Sequence, residues 1–224
     1  MIQKDELLIR LMNANDFDVM VKWLNYEKVL EFYEEPPSNK ERIIKKYGPR
    51  VEGKHYVTPC IIEHKEKDIG YIQYYKIQEG ELKRYGYTPN QSIYGIDQFI
   101  GETQLWGKGI GTSIILMMLN YPSINKNAFK VVLEVKKGNG RAISSYKKCG
   151  FKEIKDLNND HLLMEWEKNN WLNSISSYRT NGALIRRINV CFFVELLIVE
   201  MGRLFEDSLI ILNNESRLWN EAGG

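Results

Sequence analysis

The segment Ser92-Ile93-Tyr94-Gly95-Ile96-Asp97-Gln98-Phe99-Ile100-Gly101, then Gln104-Leu105-Trp106-Gly107-Lys108-Gly109-Ile110-Gly111 and an apolar run from Thr112 to Asn120, decides the fold of this chain. The first part reads as a strand, the second as a glycine-rich turn and the third as a helix. A strand that enters a helix through glycines leaves several backbone N–H groups without helical partners, and the helix dipole favours negative charge beside them. Such a turn suits a phosphate. Two common phosphate loops do not fit. A dinucleotide fingerprint needs Gly-x-Gly-x-x-Gly with an acid about 20 residues further on, and a Walker loop closes on Gly-Lys-Ser/Thr. Here Lys108 is followed by Gly109. An ordinary strand-to-helix turn, whose glycines merely allow positive φ, stays open on spacing alone.

Upstream, residues 7–12 read as a short apolar strand, and Asn15 or Asp16 can cap a helix whose Phe17, Met20, Val21 and Leu24 recur at helical spacing. An acidic, aromatic, proline-ended stretch follows at 29–37, either a lid over a cationic ligand or a solvated connector, then a helix over 39–47. Residues 58–65 and 69–77 read as a hairpin joined by Glu66-Lys67-Asp68, and 78–91 as a loop reaching over the acceptor side. Downstream, Pro122 ends the helix, 129–135 is a strand, 139–150 a short helix with a glycine C-cap, and 151–156 and 161–167 are two more strands. About seven strands flanked by helices predict a mixed central sheet of the α/β (α+β) class over residues 1–168. Residues 169–224 form a C-terminal extension.

With 43% hydrophobic residues among 224, the chain has material for one sizeable core. The formal charge of +2 neither recruits nucleic acid nor steers polycations, so charge recognition must be local. Cys60, Cys149 and Cys191 are scattered, and His55, His64 and His161 stand alone, so no metal site is expected. The start of the sequence lacks the apolar core of a signal, which together with free thiols implies the cytoplasm, and no membrane span is expected.

Gln104-x-x-Gly107-x-Gly109, followed after the next strand by Asn139-x-Arg141-Ala142 and Tyr146-x-x-x-Gly150-Phe151, resembles the GCN5-related N-acetyltransferases at two separate points. A closer resemblance, to the aminoglycoside 6'-N-acetyltransferases of the resistance type, lies in Trp23-Leu24, in residues 29–33, in Ile69-Gly70-Tyr71 and above all in residues 95–102. It covers residues 1–167. The sequence departs where those enzymes commonly have Asp-Pro; here Glu134-Val135 stands, and the carboxylate reaches one carbon further.

The resemblance implies acetyl-CoA as cosubstrate and an aminoglycoside as acceptor, in a monomer or homodimer. The coenzyme would lie against Gln98, Phe99 and Ile100, the loop residues Gln104, Leu105, Trp106, Gly107, Lys108, Gly109, Ile110, Gly111 and Thr112, and then Asn139, Arg141, Ala142 and Tyr146. Amides of 105–111 would take the pyrophosphate, with Lys147 and Lys148 near other phosphates. Amides of 98–100, freed where the strand bulges and splays, would receive the acetyl oxygen. Asp97 is the expected catalytic carboxylate. At an ordinary pKa of about 3.9 it is a weak base for an ammonium, but Ile96, Phe99 and Ile100 can raise it by desolvation. It could equally only orient the amine. Tyr146 matches the family's tyrosine near the leaving sulfur. A thiol near 8.5 facing a phenol near 10 makes complete proton transfer uphill by roughly 2 kcal/mol, so a hydrogen bond to the forming thiolate suffices. Substrate contacts are expected from Trp23, Tyr33, Tyr74, Glu79, Asp97, Glu102 and Glu134. Transfer to protein or polyamine amines, and a non-catalytic binding protein, are the alternatives. The tail, with an apolar run at 188–199 too short and polar for a membrane span, is read as a packed element or as sequence without function.

Overall fold

The computed structural model describes residues 2–125 and 128–168. The predicted extension, its apolar run and Cys191 lie outside the described residues. Eight strands, β1 (Ile2–Lys4), β2 (Leu7–Leu11), β3 (Val57–His64), β4 (Lys67–Lys76), β5 (Ile93–Ile100), β6 (Lys130–Lys136), β7 (Lys152–Asp156) and β8 (His161–Glu167), form one sheet among the described residues. Their order is β1-β2-β3-β4-β5-β6-β8-β7. Pairing is antiparallel except between β5 and β6, which run parallel. The strand beyond the expected seven is β1, whose three residues are too few for an alternation to register.

Strand alternation divides the core between the two faces. Ile61, Tyr71 and Phe99 share one side and pack with Met20, Trp23 and Tyr47 from α1 (Phe17–Trp23) and α3 (Lys40–Val51); α2 (Glu27–Leu30) adds Val29. Cys60, Ile72 and Ile96 face the other way. They pack with Ile114 and Met118 of an apolar helix running Ile110–Asn125 and with Tyr146 of a helix running Gly140–Lys148.

Three local expectations are corrected. Residues 79–85 are helical rather than loop: α4 (Glu79–Tyr85) buries Leu82 and Tyr85 and ends on Gly86, whose φ of 88° is a left-handed cap. Seven residues with two apolar positions are too short a window for a helical period to stand out. The following helices are therefore α5 (Ile110–Asn125) and α6 (Gly140–Lys148). α5 passes Pro122 and ends at Asn125. The hairpin turn sits one residue earlier than predicted. Lys65 and Glu66, at φ 53° and 61°, form the two-residue connection and β4 begins at Lys67.

β5 and β6 pair only at Ile93↔Lys130, Tyr94↔Val131 and Gly95↔Val132, although β5 continues to Ile100 and β6 to Lys136. The β4–β5 register is unbroken over the same stretch, so the strands part without the expected bulge. The parting opens the sheet.

Two side chains forced into positive φ at 65 and 66 store strain that Asn-Gly would relieve. The double substitution Lys65→Asn/Glu66→Gly is expected to raise the unfolding free energy by roughly 1 kcal/mol, read by urea titration, with no change in activity.

Candidate active site

The gap between β5 and β6 presents main-chain groups of one parity only. Ile93 O accepts from Ile77 N, and Gly101 N donates to Ile69 O, so odd-numbered residues of β5 turn to the β4 side. Ser92 O accepts from Phe129 N, on the β6 side. In a strand successive N–H groups point to opposite edges, so the amides of Gln98 and Ile100 face the gap while that of Phe99 faces β4. The expected amide set of 98–100 thus narrows to two. On the Ile100 side the gap is closed by Trp106, whose Nε1 donates to Ile100 O at 2.9 Å.

The gap lies in a cleft of about 630 Å³. On one side stand the glycine loop and α6. Leu105 N and Trp106 N donate to Glu102 O and Thr103 O, so these two amides, predicted to bind phosphate, are already used. The amides of 107–112 donate to no backbone carbonyl among the described residues. Gly107 and Gly109, at φ 77° and 81°, give the loop its left-handed turns. Gly107, Gly109, Gly111 and Thr112 line the cleft with Asn139, Arg141, Ala142 and Tyr146 from the start and inner face of α6. Asn139 caps α6 by accepting from Ala142 N at 3.1 Å. Thr112 and Ser145 join the two helices at 2.8 Å. The Arg141 guanidinium lies 3.8 Å from the Trp106 ring centroid. Lys148 lines the cleft, whereas Lys147 turns outward to Glu153. Burial raises the Tyr146 phenol well above its ordinary value, so it keeps its proton and can serve as a hydrogen-bond donor.

On the other side is Asp97, partly buried and open to the cleft. Gln73 Nε2 donates to Asp97 Oδ2 at 2.6 Å. Burial raises the Asp97 carboxyl above its usual range, and the Gln73 hydrogen bond opposes part of the rise. Tyr33 stacks edge-on against Phe99 at 4.7 Å and closes the acceptor end. The other acids of the cleft have protein cations as partners. Glu34 meets Lys136 at 3.1 Å and His161 at 2.8 Å, Glu35 meets Lys46, and Glu134 meets Arg84 with Tyr85 also donating to it. Asp97 alone among them is held by neutral groups.

Several predicted contacts lie outside the cleft. Tyr74 packs on the opposite face, its hydroxyl 3.4 Å from that of Tyr121. It neighbours Gln73 in a strand, so the two must face opposite ways. Trp23 is 1% exposed, and its Nε1 donates to Glu102 at 3.1 Å; Glu102 also accepts from Lys22 at 2.6 Å and Gln104 at 3.1 Å. These residues clamp the loop to α1 and do not reach an acceptor. Glu79 is exposed at the start of α4, and Lys108 and Ile110 are outside the lining. Conversely, Gln73 and Arg50 were missed, although Gln73 is the one polar residue between Tyr71 and Tyr75 on the face that carries Asp97.

A backbone cradle for phosphate and two amides in a strand gap, with a phenol on one side and a carboxylate on the other, define an acyl-transfer site. Residues 13–159 match the acetyltransferase (GNAT) domain model. The chain belongs to this family and is an acetyl-CoA-dependent N-acetyltransferase. Within the family it is 28% identical over 149 residues to the aminoglycoside N(6')-acetyltransferases type 1 of Klebsiella pneumoniae and Serratia marcescens, covering 66% of this chain and 74% of each relative. The fold is similar to that of aminoglycoside acetyltransferase AAC(6')-Ib in complex with coenzyme A and kanamycin (TM-score 0.62, 22% identity, 75% of this chain and 98% of that one). It is equally similar to spermidine N-acetyltransferase from Vibrio cholerae in complex with coenzyme A and spermine (TM-score 0.62, 19% identity, 76% and 100%). Among the described residues no group of side chains fits a metal and no helix is long and apolar enough to cross a membrane.

The Lys22 hydrogen bond, with that from Trp23, pulls the Glu102 carboxyl from 4.5 down to about 2. With the folded value the lower, its stabilisation is complete above pH 4.5 and is lost as pH falls from there to about 2. Urea titrations of wild type and Glu102→Gln are therefore expected to differ at pH 7 and to converge towards the bottom of that window.

Proposed function

We propose that this acetyltransferase transfers the acetyl group of acetyl-CoA to the 6'-amine of aminoglycosides, in the cytoplasm. The observation that carries the reading is Asp97: a cleft carboxylate with no cationic partner of its own among the described residues, on the face of β5 opposite Tyr146. It is joined by the similarity to the two curated aminoglycoside enzymes, which spans most of the described fold.

In this mechanism the amides of 107–112 hold the pyrophosphate and Arg141 adds a cation at the mouth. The Gln98 and Ile100 amides receive the acetyl oxygen, where negative charge grows as the amine attacks. The acceptor enters past Tyr33 and meets Asp97, whose raised pKa makes it a better proton acceptor than an exposed aspartate. The departing thiolate leaves towards Tyr146, which stabilises it by a hydrogen bond. Bringing both reactants to one gap supplies a large share of the acceleration.

A second reading, transfer to a smaller polyamine, is favoured by the pairing of Glu34, Glu35 and Glu134 with protein cations. An aminoglycoside with several ammonium groups would have to displace those cations, whereas an acceptor that needs a single carboxylate would not. Turnover of acetyl-CoA with kanamycin-class drugs having or lacking the 6'-amine, and with spermidine, separates the readings. Fast turnover is expected only with the 6'-amino drugs; equal rates on both drug classes would refute the position, and a preference for spermidine the substrate. Asp97→Asn is expected to lower kcat by about 10²–10⁴ while leaving coenzyme A affinity unchanged by calorimetry.

A further inference from the structure

Behind Asp97 lies a chain of hydrogen bonds that the acetyl-transfer chemistry does not by itself require. Gln73 donates to Asp97 from Nε2, and its Oε1 accepts from Arg50 Nη1 at 2.7 Å and from the Tyr71 hydroxyl at 2.6 Å. Gln73 is 8% exposed and Tyr71 is fully buried. The two ends of a glutamine amide have nearly the same shape, so its orientation is set by its partners. Arginine can only donate. Arg50 and Tyr71 together therefore select the oxygen, and the NH₂ end is left for the carboxylate.

Arg50 is also used in an unusual way. It makes no ion pair among the described residues, although a carboxylate lies one side chain away; it reaches the Gln73 oxygen and lies 5.3 Å from the Tyr47 ring centroid. A direct Arg50–Asp97 pair would fix the carboxylate but remove its ability to take a proton. With a neutral amide between them, orientation passes through and the cation acts only as a field.

We infer that Arg50 and Tyr71 are positioning residues, which lock the amide of Gln73 and through it hold the Asp97 carboxylate facing the acceptor cleft. The inference rests on the role given to Asp97 under the proposed function. It adds that the carboxylate's orientation is imposed from α3 across the sheet. The charged groups facing Asp97 are Arg50 from α3, Glu134 from β6 and Glu81 from α4. The phenols near it, Tyr33, Tyr47, Tyr71 and Tyr75, with Tyr146 from α6, are kept neutral by burial. Among the described residues Arg50 is the cation that acts most strongly on the carboxylate, Arg84 being spent on Glu134 and Lys46 on Glu35, and its loss should make Asp97 harder to ionise.

The test reads Asp97 directly and involves no acceptor. In full-length protein labelled with ¹³C-carboxyl aspartate, the Asp97 resonance is assigned with Asp97→Asn and titrated with pH. Arg50→Met is expected to move the midpoint up by about one pH unit, and Arg50→Lys, which keeps the charge, to move it less. Gln73→Met, which keeps Arg50 but breaks the chain, is expected to raise it as well, and decides the matter if Arg50→Met does not fold. In turnover, Arg50→Met should lower kcat and shift the acid limb upward with the KM for acetyl-CoA unchanged; a merely structural role would lower the rate equally at every pH. Folded variants that titrate as wild type would overturn the inference. A shifted midpoint in a protein that acetylates no aminoglycoside would overturn the substrate reading and leave this one standing.

Discussion

The structure turns on the point at which two parallel strands let go of each other. Beyond Gly95 and Val132, β5 and β6 share no further pairs, and the sheet gives up ladder hydrogen bonds in its own middle. Unpaired main-chain groups inside a protein are costly, so such a gap persists only where something else meets them. Trp106 Nε1 meets the Ile100 carbonyl. The Gln98 and Ile100 amides remain, open to the cleft, and a polarised carbonyl oxygen is the partner whose demand for donors grows as a tetrahedral adduct forms. On the proposed mechanism the missing pairs in the resting fold are what leaves those donors available.

Strand parity then sorts the chemistry. Consecutive residues of β5 face opposite sides, so Asp97 looks towards α3 and Tyr33 while its neighbour Gln98 looks towards α6 and Tyr146. On the proposed mechanism the proton acceptor and the phenol that meets the leaving thiolate are thereby set on opposite faces of the strand. The electrostatics follow the same division. On the acceptor side Glu34, Glu35 and Glu134 are each matched by a cation, whereas Asp97 is held by the Gln73 amide, with Glu134 and Arg50 acting on it through space in opposite senses.

Most of this was legible in the sequence where a local rule fixes the outcome. The glycine loop, the strand before it and the short helix that ends at Gly150 all form as expected, because turn chemistry and capping act over a few residues. The misreadings share a different cause. Aromatic character points to Tyr74, and the strand parity that places the neighbouring Gln73 beside the carboxylate instead becomes decisive only with the cross-strand register Gln73↔Asp97. Glu102 and Trp23 are close to the cleft in sequence logic but satisfy each other through space. α4 escaped notice because it is short, and Arg50 because nothing local distinguishes a helix-end arginine that meets a buried amide from one in solvent. Each of these depends on contacts between residues far apart in the chain, which periodicity does not carry.

The coenzyme side and the gap are mechanically one piece. Arg141 stacks on Trp106, Trp106 hydrogen-bonds the β5 carbonyl at Ile100, and the loop that carries Trp106 runs directly into the amides at the start of α5. The positions of the phosphate cradle and of the two gap amides are therefore set by a single short linkage and not by the summed flexibility of a strand, a loop and a helix. Holding a reacting carbonyl to within a fraction of an ångström requires that kind of coupling, since small misplacements erase much of the advantage of proximity. Trp106 is thus a structural tie whose ring also lends its face to a cation, and on the proposed mechanism its conformation sets where the thioester meets the amides of Gln98 and Ile100.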